Sequence, residues 1–354
     1  MRFIRVIVLL VVLAAVGYYV SAQSSIGEDS TTTGHPHVLE QNKTKIESKE
    51  VPEKRSAVPL EGDIYQWMTK SADELEKKLG EPLRKDLSAY GYERWLYTDG
   101  EDQYVQFGIK EHHVASVYAL GNDLAVEPVT IGQTYEAADD AFNFSREITY
   151  DKDMSSYTFR LNDADIQERP LVKVSDNVFL QLYFDTSMNE LSAVRLLSAD
   201  ILLLHQPYEI KYRGDMPEDP EFTDDQWTQI EEGAEQQIFY LTNVVRYQHE
   251  KSPLKWDESV SDVAYEHSRD MAENHYFSHY SQDGDGLKER LAAKEVFYQT
   301  AGENIAAQYP DAESALHGWM NSEDHRKALL NDDFTHLGAG VHRSYYTQNF
   351  LNKD

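Results

Sequence analysis

Apolar residues recur at three- and four-residue steps from Trp227 through Ile230, Ala234, Ile238 and Leu241 to Val245, a single stripe that predicts a long amphipathic helix. Thr223-Asp224-Asp225-Gln226 stands in front of it as a capping box, in which the threonine accepts from the third amide and the glutamine reaches back. Leu254-Lys255-Trp256-Asp257 leads into a second stripe, Val260, Val263, Ala264, His267 and Met271. Further helices are predicted over residues 287–294 and 312–330. The chain closes on glycine-punctuated alternation at Leu337-Gly338-Ala339-Gly340-Val341 and on residues 345–350, which predict strands. Helices followed by two or more strands give an α+β layer fold.

Upstream, over residues 63–204, a helix-then-strands pattern occurs twice, which suggests a duplication. Ser71-Ala72-Asp73-Glu74-Leu75 opens the first unit as a cap and amphipathic turn, and Gly80-Glu81-Pro82 stops it. Tyr104-Val105-Gln106-Phe107-Gly108-Ile109 and Val114-Ala115-Ser116-Val117-Tyr118 then alternate on either side of a short polar break, as an antiparallel hairpin does. The second unit begins at Gly132-Gln133-Thr134-Tyr135 with a helix through Phe142, and closes with a hairpin of residues 178–184 and 191–196. The expected organisation is thus an α+β domain over 61–205, a Pro- and acid-rich linker over 206–221, and an α+β domain over 222–354.

The N-terminus has a different character. Arg2 and Arg5 precede an uncharged apolar run over residues 6–20, and Val20-Ser21-Ala22 offers small residues for cleavage, so residues 1–22 read as a signal peptide or a membrane anchor. Either reading puts the body outside the cell, extracellular or membrane-anchored, with membrane contact only through this segment. Residues 23–60 are Ser, Thr, Glu, Lys and Pro with few large apolar side chains, a flexible linker. His35-Pro36-His37 within it has no partner and is read as incidental.

Composition narrows the function. A formal charge of −29, from 62 acidic and 33 basic side chains, argues against nucleic acid, whose phosphates need clustered Lys and Arg. The absence of cysteine excludes disulfide bracing and thiol catalysis, and an exported chain without cysteine looks Gram-positive bacterial.

The C-terminal domain holds an ordered set of phrases: His275-Tyr276-Phe277-Ser278-His279, Ala301-Gly302-Glu303-Asn304-Ile305, Trp319-Met320-Asn321-Ser322-Glu323-Asp324-His325-Arg326 and Tyr345-Tyr346-Thr347-Gln348-Asn349-Phe350. This set resembles the CAP superfamily of cysteine-rich secretory, antigen 5 and pathogenesis-related proteins, in the wording of its bacterial branch. The N-terminal domain resembles, by pattern and chain order, the CAP-associated domain found in some exported Firmicute proteins. The resemblance implies a three-layer helix–sheet–helix domain with a central cleft lined by His279, Glu303, Ser322 and His325, and with Tyr345 and Gln348 at its edge. It also marks two departures from the eukaryotic pattern: Ser322 stands where a second glutamate is usual, and Tyr345 where a second histidine is usual.

Residue chemistry leaves alternatives beside that implication. His279 near a helix end would interact with terminal carbonyls, and Glu303 would fix a loop by accepting amide hydrogen bonds. His275, four residues before His279, would share its face if the helix continued, though the glutamate of a His-Glu-x-x-His zinc protease is missing. His267 on the apolar stripe reads as structural. His279, Glu303 and His325 match the ligand count of a zinc site, or one for another divalent cation. Ser322 and His325, three apart on a helix, offer a nucleophile and base, but no oxyanion motif accompanies them. The expectation is an exported cell-envelope protein whose cleft binds a ligand, ion or partner. An envelope hydrolase or metal-dependent peptidase is the alternative, and a purely structural polar network the third reading.

Overall fold

The computed structural model describes residues 62–353 and, before them, strand β1 (Thr44–Lys45). Apart from that strand, the signal or anchor expected over 1–22 and the linker expected over 23–60 lie outside the described residues. Among the described residues, no helix is long and apolar enough to cross a membrane.

The first helix, α1 (Ala72–Leu79), starts at the Ser71–Glu74 capping box and ends at Gly80, whose φ of 86° suits a residue without Cβ. Strands β2 (Arg84–Leu87), β3 (Glu93–Thr98), β4 (Gln103–Lys110) and β5 (His113–Gly121) follow, each antiparallel to the last. Helix α2 (Tyr135–Phe142) starts the second unit, which ends in hairpin β9 (Val178–Asp185) and β10 (Glu190–Ser198). Between them lie β6 (Glu147–Lys152), β7 (Ser155–Arg160), α3 (Asp163–Glu168) and β8 (Leu171–Lys173).

The two units merge into one seven-stranded sheet, ordered β2-β3-β4-β5-β10-β9-β8, in which the closing strands of the two hairpins pair with each other. The helix caps repeat the relation: Ser71 bridges to His113 at the start of β5, and Thr134 bridges to Glu190 at the start of β10. This supports the duplication read from the sequence.

The linker expected over 206–221 needs correction. After the buried helix α4 (Ala199–His205), residues Glu209–Arg213 form β11, which pairs with β7 and joins a second sheet ordered β1-β11-β7-β6. Ile210 alternates inward there, so pairing and burial override the flanking prolines.

The C-terminal domain opens with the capped helix α5 (Asp224–Gln248), followed by β12 (Lys255–Trp256), α6 (Glu258–Glu273), α7 (Leu287–Ala293) and β13 (Thr300–Ala307). Then come α8 (Ala312–Met320), α9 (Glu323–Leu329), β14 (His336–His342) and β15 (Tyr345–Asn352), and the sheet runs β12-β14-β15-β13.

Alternation along β14 separates two helical layers. Leu337, Ala339 and Val341 pack into the core shared with α5 and α8. Gly338 and Gly340 face α6, so closely that a Cβ on Gly340 would lie 1.9 Å from the Tyr265 amide nitrogen. Only glycine lets helix and strand approach so far. The expected three layers are present.

The domains share a core. Leu96, Tyr104, Tyr118, Leu120 and Tyr183 on one face of the seven-stranded sheet join Ile238, Leu241, Leu316 and Trp319 of α5 and α8. The other face, with Phe107, Leu182, Phe184 and Val194, is covered by α1 and α2.

Candidate functional site

Glu303 lies mid-strand on β13 rather than in a loop. Its neighbour Gly302 faces Phe334 on one side of the sheet, so Glu303 is turned to the α6 side. There its side chain is 4% exposed, and His279, in the loop after α6, donates from Nδ1 to Oε1 at 2.9 Å. Arg290 of α7 donates to Oε2 at 2.5 Å and to the carbonyls of His279 and Asp285 at 3.0 and 3.1 Å. One guanidinium therefore holds both the carboxylate and the loop that carries His279. Burial would raise the Glu303 carboxyl, but the His279 hydrogen bond and the Arg290 charge outweigh it and hold the group below the usual range.

Ser322 and His325 form the second pair, Ser322 Oγ lying 2.8 Å from His325 Nδ1. The single helix expected over 312–330 breaks between them and α8, at Asn321-Ser322. Ser322 is the residue before α9, and its side chain bonds His325 rather than capping backbone. The backbone turns extended at Ser322, and the Asn321 side chain at the break bonds the first domain. Burial pushes His325 down to about 4; the nearby His279 pushes the same way, and Asp324 opposes both. The two imidazoles are therefore within electrostatic reach of each other. His325 is thus neutral at pH 7.

The other two candidates do not reach this place. Gln348 is fully buried, accepting from Asn304 Nδ2 at 3.3 Å and donating to Thr242 of α5 at 2.7 Å. It is part of the core on the opposite face. Tyr345 pairs with Ala307 and His342, four residues along β15 from the Asn349 that pairs with Glu303. At about 3.3 Å per residue that is roughly 13 Å away. His275 does not share a helical face with His279 either, because α6 ends at Glu273 and His275 takes a left-handed φ of 55°.

Sequence reasoning missed Arg290 and undervalued His267. Buried on α6, His267 donates from Nε2 to the Ser278 carbonyl at 3.0 Å and lies 4.0 Å from Glu303 Oε1. It is a structural histidine, as its apolar stripe indicated, but one set directly behind the site. Burial lowers its pKa against the pull of Glu303. Arg290 carried no motif; its i+11 distance from His279 gives no helical or strand relation to read.

The zinc or other divalent-cation site expected at His279, Glu303 and His325 does not fit this donor set. A cation at Glu303 would have to share or displace the His279 N–H and the Arg290 guanidinium, whose positive charge would oppose it. Among the described residues, no group of three His, Asp or Glu is arranged to hold a metal ion.

Residues 239–351 match the model of the cysteine-rich secretory protein family, and residues 68–208 that of the CAP-associated N-terminal region. Over 352 residues, 99% of both chains, the sequence is 39% identical to the uncharacterized membrane protein YlbC of Bacillus subtilis. The chain belongs to the CAP superfamily. Its CAP-associated and CAP domains together resemble an extracellular SCP-domain protein of Bacillus anthracis, at 42% identity and a TM-score of 0.79, over 87% of this chain and all of that one. A cysteine-rich secretory protein of Staphylococcus aureus aligns at 27% identity and a TM-score of 0.73, over 84% and 97% of the two chains.

Proposed function

We propose that this is an exported cell-envelope protein whose CAP cleft recognises a ligand through His279. The observation that carries the reading is the His279–Glu303 bond at 2.9 Å on a ring whose side chain is 48% exposed. Nδ1 is committed, so the ring is fixed in one tautomer and Nε2 is the nitrogen left to meet a ligand. Neutral His325 and the Ser322 hydroxyl add hydrogen-bonding groups without charge, which suits amide- and hydroxyl-bearing envelope fragments such as peptides and glycans. The relatives named as extracellular and membrane proteins support an envelope setting.

His279→Gln should abolish binding of peptidoglycan fragments while leaving Tm within about 2 °C, since the ring is half-exposed and Arg290 still pairs the buried Glu303 carboxylate. Isothermal titration against muropeptides, beside a thermal melt, checks this. Equal binding by the variant, or none by the wild type, would overturn the proposal.

A hydrolase remains the second reading, on one observation: the Ser322 hydroxyl sits 2.8 Å from a neutral imidazole. It requires turnover of such a fragment that Ser322→Ala removes. A metal-dependent peptidase has no such support, because no group of three His, Asp or Glu among the described residues is arranged to hold a metal ion.

A further inference from the structure

We infer that the turn between β9 and β10 of the CAP-associated domain is a positioning element for the CAP cleft, acting through Asn321 and Arg326, the residues that bracket the Ser322–His325 wall. Asn321 Oδ1 accepts from the Thr186 amide at 2.9 Å and from its hydroxyl at 3.1 Å, and Asn321 Nδ2 donates to the Phe184 carbonyl at 2.9 Å. Arg326 donates to Asp185 Oδ2 at 2.6 Å, to the Met320 carbonyl at 3.2 Å and to His249 Nε2 at 3.0 Å. Asp185 is buried and Arg326 nearly so, with side chains 7% and 15% exposed. Asp185 Oδ1 in turn accepts from the amides of Ser187 and Met188, so the carboxylate is locked to its own turn.

Six consecutive positions of the CAP domain, 321 to 326, are therefore pinned at both ends by three consecutive residues of the other domain, 184 to 186. The pinned stretch contains the break between α8 and α9 that turns Ser322 toward His325. No side chain of the turn is among the groups that form the cleft pairs, so Asp185 is a positioning residue and not part of the cleft. The consequence is directional: whatever shifts the β9–β10 turn shifts Ser322 and His325 and leaves the His279–Glu303–Arg290 set, on the other helical layer, in place. A charge-assisted, buried hydrogen bond is the strong kind, and it is specific in geometry.

The functional weight of this rests on the cleft reading above, but its test uses the free protein and no ligand, so the two can fail separately. In the exported portion of the chain, the ring resonances of His279 and His325 are recorded by NMR at pH 7 for Asp185→Asn and Asp185→Glu. The rate of His325 modification by diethyl pyrocarbonate is measured in parallel. Asp185→Asn should shift the His325 resonance and raise its modification rate roughly tenfold, the equilibrium equivalent of one charge-assisted hydrogen bond. The His279 resonance should stay in place, and Asp185→Glu should restore most of the wild-type behaviour. If Asp185→Asn does not fold, Thr186→Ala should give a smaller change of the same sign. An unchanged His325 in folded Asp185→Asn, or in Thr186→Ala where that variant is the one measured, would overturn the inference, as would equal shifts at both histidines.

Discussion

Arg195→Ala should cost about 3–5 kcal/mol and still unfold in one transition. Arg195 projects from β10 to the face that meets the CAP domain, 3.0 Å from Asp311 and 3.5 Å from Glu313, with all three side chains at most 4% exposed. Arg94 of β3 supports the same two carboxylates at 3.5 and 3.8 Å. Burial would raise Asp311, but Arg195 and then Arg94 hold it far below the usual range. Glu313, with no hydrogen bond to either oxygen, is pushed up by burial and by Asp311. Removing one guanidinium leaves two buried acids sharing one distant cation. A companion variant separates charge from volume: Arg195→Met with Glu313→Leu should recover most of the loss, because well-packed apolar residues replace buried ion pairs at little cost. The single transition follows from the core shared by the two domains. Denaturant curves followed by tryptophan fluorescence and far-ultraviolet dichroism should therefore coincide. Two separated transitions, or a loss under about 1 kcal/mol, would contradict the shared-core account.

That interface explains what the sequence could not show. Alternation in β4, β5, β9 and β10 was plain, and it gave the hairpins and the duplication; β3, beside β4 in the sheet, was not read. Arg94, Gln106, Gln181 and Arg195 occupy the polar positions of that alternation, which ordinarily face water. Here they face a second domain and are buried. Period-2 patterning fixes which residues share a face; it does not say what the face meets. A weak signal hid β6 and β7, where only Ile148 and Tyr150, and Tyr157 and Phe159, alternate inward. It also hid β13, where Gly302, Glu303 and Asn304 weaken the apolar signal of a strand that the sheet nevertheless pairs along eight residues.

The site divides along similar lines. His279, Glu303, Ser322 and His325 were found because phrases of a family carry them, and the structure places them in two hydrogen-bonded pairs. Tyr345 and Gln348 belonged to one such phrase too, yet residues only one or a few places apart in a strand point to opposite faces or lie several ångströms along it. Arg290 shows the remaining gap. Together with the His279 hydrogen bond it keeps the Glu303 carboxyl low, but it acts on Glu303 through tertiary contact alone.

Glu303→Gln is the variant on which that role of Arg290 is measured. The substitution keeps the shape and one acceptor but removes the charge that faces a guanidinium 11% exposed, with its Nε unpartnered. The expected loss is about 3 kcal/mol, the lower part of the range for breaking a buried pair, against little or none for His279→Gln. The pH dependence supplies the sign. A carboxyl held below its ordinary value stabilises the fold fully above the unfolded pKa of about 4.3 and loses that contribution as pH falls through its folded value. Wild type and Glu303→Gln should therefore differ fully from pH 7 down to about 5 and converge only below about 4.3, as pH falls through the folded value. If the carboxylate only oriented His279, the two glutamine variants would be equally stable at pH 7. A gap between them would show that the Arg290–Glu303 pair, more than the His279 hydrogen bond, carries the stability of this part of the fold.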